Sequence, residues 1–84
     1  MKGRAVISLA GHDIGRIYLV VSDLGEYVLL SDGKKHRLNK PKRKNKKHIH
    51  PILNTFSALP EEMTDGVLRK TLRALEDEYE RIIN

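Results

Sequence analysis

GRAVISLAGHDIGRIYLVV, residues 3–21, is the stretch that decides the fold of this 84-residue chain. Ala5–Leu9 (AVISL) and Ile17–Val21 (IYLVV) are short and rich in β-branched residues, which fit a pleated, partly buried surface. AGHDIGR lies between them, and its two glycines mark a turn, so the stretch reads as a β-hairpin. Working downstream, SDLGE is a second turn signal, YVLLS at residues 27–31 a third strand, and Asp32-Gly33 a dipeptide suited to a type I′ turn. His36–Leu38 is predicted to pair back on that strand and to stop at Pro41, which has no N–H for a ladder. HIHPIL from His48 supplies one further short strand. Four or five short strands in about 50 residues leave no room for the crossover helices of a parallel sheet. A small antiparallel barrel, closed or partly closed, is the architecture that follows.

Toward the C-terminus the apolar period changes from two to about 3.6. Leu68, Leu72, Leu75, Tyr79 and Ile82 recur at steps of four and three and form one stripe, with Ile83 at its border. The spacing predicts an amphipathic helix over about 65–83, with Thr64 as N-cap and Asp65 at the positive end of the dipole. Asp77 and Arg81 stand at i, i+4 on the opposite face, and SALPEEM ahead of the helix suits a short helical turn. The stripe is too short for an established coiled coil, so it is expected to pack on an open side or end of the barrel of a monomer.

Charge is distributed in blocks. Residues 1–33 carry three basic and four acidic groups, residues 34–59 nine and none, and residues 60–84 four and seven. Nine Lys or Arg fall within Lys34–Lys47, a one-sign block whose self-repulsion is relieved by a polyanion. The tract 34–48 therefore points to nucleic acid. Lysines act there as point charges on phosphate, whereas Arg37, Arg43 and Arg16 have the fork geometry for bidentate contacts. Only four aromatic residues, Tyr18, Tyr27, Phe56 and Tyr79, occur in the chain, and strand alternation turns at least one of the strand tyrosines inward. A stacking platform for single strands needs several exposed rings, so recognition of folded or double-helical RNA by shape and phosphate fits better.

The first 50 residues also resemble a known family. GRAVISLAGHDIGRIYLVV is similar to the KOW motif, in which an apolar strand runs into a loop with a characteristic glycine, here Gly11, and continues as a second strand. With YVLLSDGKKHRLNKPKRKNKKHI following in order, residues 3–50 resemble KOW-bearing large-subunit ribosomal proteins of the archaeal and eukaryotic kind and small bacterial RNA-binding proteins similar to them. Tyr18 stands where that family often has a further glycine. The resemblance implies an SH3-like β-barrel, over residues 1–58, that binds structured ribosomal RNA on the ribosome or in its assembly or translation, without enzymatic activity. Residues 59–84 are a helical extension outside the likeness. The RNA-binding residues expected are Gly11, His12 and Arg16 in the hairpin loop and Lys34, Lys35, Arg37, Lys40, Lys42, Arg43, Lys44, Lys46, Lys47 and His48 in the tract.

Other classes of function find less in the sequence. No Cys is present, which removes disulfides, thiolate metal sites and a thiol nucleophile. His36, His48 and His50 have no carboxylate in positions 33–60 to orient them, so neither metal nor cofactor is expected. No phosphate-cradling loop, nucleophile with a base or paired carboxylates occur at useful spacing, and catalysis is not expected. The longest apolar run, Ile17–Val21, is far below a membrane span, and the chain reads as soluble, unprocessed and cytoplasmic. KPKRKNKK also has the composition of a nuclear import signal. Two alternatives stand beside RNA binding: a protein-interaction module of SH3-like fold, docking ribosomal proteins through the acidic side of the helix, and a non-specific DNA-binding protein.

Overall fold

The computed structural model describes residues 1–56 and 63–83, with the side chains of 1–52 and 63–78. The chain runs β1 (Arg4–Ser8), β2 (Ile17–Asp23), β3 (Tyr27–Ser31), β4 (Lys42–Asn45), a 3₁₀ turn (Lys46–His48), β5 (Ile49–Phe56) and α1 (Asp65–Ile83). The strands form one antiparallel sheet in the order β4-β3-β2-β1-β5. Laid flat, such a sheet separates β4 from β5 by about 19 Å. The 3₁₀ turn joining them reaches only about 6 Å. The sheet therefore has to curl until its two edges approach, and it does so as a half-barrel. Register shifts between Arg4 and Val6 in β1 and between Val20 and Ser22 in β2 supply local bends that favour the curl.

Curling gives the sheet two buried faces. Inside lie Val6, Tyr18, Val20, Val28, Leu30 and Ile49, with Met1 packed against them. On the convex side Ala5, Ile17, Leu19 and Ile52 receive Leu68 and Leu72 of α1, with Leu38, Met63 and Leu75 at the margin. β2 is buried from both sides over Ile17–Val20, which is why IYLV is continuously apolar instead of alternating. The expected packing of the helical stripe on the barrel is found for Leu68, Leu72 and Leu75; the side chains of Tyr79, Ile82 and Ile83 lie outside the described residues. Thr64 caps the helix, its Oγ1 accepting from the Val67 N–H at 3.1 Å. The helical turn expected in SALPEEM, the boundary at 58/59 and the Asp77–Arg81 pair also fall outside the described residues or side chains.

One strand is not where the sequence pattern places it. β3 pairs with Lys42–Asn45, inside the basic tract, and not with His36–Leu38; Pro41 precedes the returning strand instead of ending it. Local hydrogen bonding explains the difference. Asp32 accepts from the backbone N–H groups of Lys34 and His36, at 2.9 and 3.0 Å, and the Ser31 hydroxyl donates to the His36 carbonyl at 2.6 Å. These contacts wind residues 32–36 into a closed loop in place of a two-residue turn. Gly33, at φ +73°, is buried beneath α1, and a Cβ there would collide with the Asp65 carbonyl oxygen. Helix and loop are then tied twice: Asp65 accepts from the Leu38 N–H at 2.8 Å, and Arg69 donates to the Gly33 carbonyl at 2.7 Å.

Candidate nucleic-acid interface

The loop between β1 and β2 is shaped by Gly11 and Gly15, at φ +87° and +85°. It folds back so that the Gly15 N–H reaches the Ser8 carbonyl at 2.8 Å. The turn carries Asp13 into the structure, only 7 % exposed. Facing it is Lys44 of β4, whose ammonium donates at 2.7 Å to Asp13 Oδ1, to Ser8 Oγ and to the Ala10 carbonyl. Three protons thus meet three acceptors, as an enclosed ammonium requires. Lys42, on the same side of β4, adds a 3.0 Å contact to Asp13 Oδ2. Burial alone would raise the Asp13 carboxyl, but the hydrogen bonds from Lys44, Lys42, Ser8 and Tyr18 outweigh it and hold the group well below the usual carboxylate range. In turn, burial first and the Asp13 hydrogen bond and charge second push the Tyr18 phenol well above its ordinary value.

A second carboxylate ties the far end of β4. Asp23 accepts from Lys46 Nζ at 2.7 Å and from the N-terminal ammonium at 3.0 Å. The Gly25 N–H adds a third bond, and together these hold Asp23 below its ordinary range although it is exposed to solvent.

The thirteen residues expected at an RNA interface separate on this geometry. Lys42, Lys44 and Lys46 are half-buried and paired inside the chain. Lys34, Lys35, Arg37 and Lys40 are exposed in the loop before β4, Arg43 on its outward side, and Lys47 in the 3₁₀ turn. None of these six has an ion pair among the described residues. Arg43 lies over the Tyr27 ring at 4.5 Å from its centroid, which fixes the side chain while leaving its N–H edge free for an anion. His48 is half-buried, and Gly11, His12 and Arg16 are exposed on the loop that Lys44 holds. Loop and tract, distant in sequence, are therefore brought together by the Asp13–Lys44 contact.

Asp13 is the residue that reading the sequence by charge passes over. Its signal is arithmetical: a lone carboxylate between two glycines, in a chain with nine cations and no acid over 34–59, is a natural counterion for some of them. Arg69 and Arg73 are also missed. They repeat the four-residue step of Leu68 and Leu72 one position on, and so flank the buried stripe where it meets the sheet. Tyr18, at 2 % exposure, is the strand tyrosine that turns inward, with the His36 ring 6.3 Å away.

No helix among the described residues is long and apolar enough to cross a membrane. No group of three or more potential metal-ligating side chains occurs among the described residues. No protein-family model matches the sequence, and no curated protein matches it either.

Proposed function

We propose that this chain is a non-enzymatic RNA-binding protein, a KOW-type SH3-like barrel that binds structured ribosomal RNA in the cytoplasm, on the ribosome or its precursors. The observation that carries this reading is the set of six exposed cations, Lys34, Lys35, Arg37, Lys40, Arg43 and Lys47, that make no ion pair among the described residues of a folded frame. Cations left unneutralised on an ordered surface repel one another, and condensation onto a phosphate backbone relieves that cost while releasing counterions. Support for the SH3-like barrel comes from the order β4-β3-β2-β1-β5 with a 3₁₀ turn returning the chain from one sheet edge to the other. Gly11, His12 and Arg16 lie exposed on the loop that Lys44 latches to β4.

The test is binding of the purified protein to a base-paired RNA hairpin and to a DNA duplex of the same sequence over a tenfold range of salt. RNA binding with a logarithmic salt slope of about −0.7 to −0.9 per phosphate contact is expected, with several contacts made. Equal affinity for DNA points to the DNA-binding alternative. Absence of binding to either at low salt overturns the proposal and leaves the protein-interaction reading.

A further inference from the structure

We propose that the cleft between the start of β2, the 32–36 loop and α1 is a phosphate site that carries the bound RNA from the basic tract onto the helix. The inference rests on the RNA-binding reading and adds a part of the molecule that reading does not include. The cleft has a volume of about 240 Å³ and draws its walls from three segments distant in sequence. Arg16, Lys34, Arg69 and Arg73 supply four cations around a floor of Ile17 and Leu72. Both floor residues are buried members of the core between sheet and helix, so the floor is set by packing. Low-dielectric walls of this kind focus the field of the charges above them.

The charges are arranged to receive an anion. Arg69 spends one N–H on the Gly33 carbonyl, which holds its guanidinium in the wall with other donors to spare. Arg16, Lys34 and Arg73 make no ion pair among the described residues. Two acids share the cleft. Asp32 accepts from two backbone N–H groups of its own loop, both at Oδ1, and forms no ion pair with the wall cations among the described residues. Glu76, exposed on α1, has neither a hydrogen bond nor an ion pair among the described residues, and it leaves the cations in excess. Guanidinium groups converging from two elements match the oxygens of a phosphodiester, which they bind in bidentate fashion. Lys34 belongs both to this cleft and to the basic loop, so one RNA strand can run continuously from one to the other.

Arg73→Gln and Lys70→Gln remove the same charge from the same helix, but only Arg73 lines the cleft. Binding of the RNA hairpin is measured for both against the parent across the salt range. Arg73→Gln is expected to reduce the salt slope by about 0.7 to 0.9 and to lower affinity several-fold at low salt, with Arg73→Lys retaining most of the slope. Lys70→Gln is expected to leave the slope nearly unchanged. In the parent protein, the amide resonances of Gly33, Leu72 and Arg73 are expected to shift as hairpin is added. If the parent binds but the two Gln variants behave alike, or if those resonances stay still, the cleft is overturned while the RNA reading stands. If the parent does not bind RNA, both fall.

Discussion

Residues 34–40 and residues 42–47 are adjacent, similarly basic and differently employed. The first segment is a loop whose four cations all face solvent. The second begins as a strand whose alternate residues, Lys42 and Lys44, turn toward Asp13, while Lys46 just beyond it pairs with Asp23. What separates them is the position of a carboxylate. Asp13 is delivered to β4 by a glycine-bounded loop and Asp23 by the end of β2, whereas the acids hydrogen-bonded to the earlier loop, Asp32 and Asp65, accept from its backbone N–H groups and form no ion pair with its cations among the described residues. A run of lysines is thus two objects, a clasp that holds the half-barrel and a surface left charged for a ligand.

The strongest way to break the comparison is to remove the clasp. Lys44→Ala removes the more buried of the two cations on Asp13, leaving Lys42 and the Ser8 hydroxyl on the carboxylate, and is expected to cost up to about 3 kcal/mol, a large share of the stability of a domain this small. Thermal or denaturant unfolding checks it, and a loss as small as that of a surface lysine means the pair contributes little. The double variant Asp13→Asn with Lys44→Met is expected to recover much of the loss, because both buried charges are gone and the Lys42 ammonium that remains is partly exposed to water.

Next in size is the acid response. A depressed carboxyl stabilises the fold above its unfolded pKa of about 3.9 and ceases to do so as pH falls toward the folded value. Asp13 is held low in the folded state. The contribution of Asp13 is therefore expected to be fully present and independent of pH near neutrality and to decline from about pH 5 downward. Chemical denaturation across that range should show a shallower decline for Asp13→Asn; an equally steep decline contradicts the assignment.

Gly33→Ala sharpens the comparison from the loop side. It forces a side chain into a positive φ and against the helix backbone, and a cost of about 1 to 3 kcal/mol is expected. Smaller still is Tyr27→Leu, which removes the cation–π contact beneath Arg43 and is expected to cost about 0.5 to 1 kcal/mol beyond the change in apolar area. A double-mutant cycle with Arg43→Ala isolates that contribution, and a coupling of zero removes it.

Much of the hairpin was legible because its signals are local. The strands around AGHDIGR and YVLLS follow from β-branched runs bounded by glycines, and α1 follows from the spacing of Leu68, Leu72 and Leu75. The position of β4 was not legible, since KRKN has no strand propensity of its own. Its conformation is set by the ladder to β3 and by ion pairs to residues some 20 to 30 positions away, which no local window contains. The candidate site was half legible for the same reason. Composition marks the cations but says nothing of which carboxylate reaches them, and so it groups Lys44 with Lys40.

The most direct measurement replaces Lys34, Lys35, Arg37 and Lys40 by Ser and follows melting temperature and RNA-hairpin binding in the same preparation, beside a Lys42→Ser, Lys44→Ser variant. The loop variant is expected to melt like the parent and to lose up to about 3 in salt slope, while the strand variant is expected to lose much of its stability. A loop variant that binds RNA like the parent, or a strand variant that melts like it, contradicts the division of the tract.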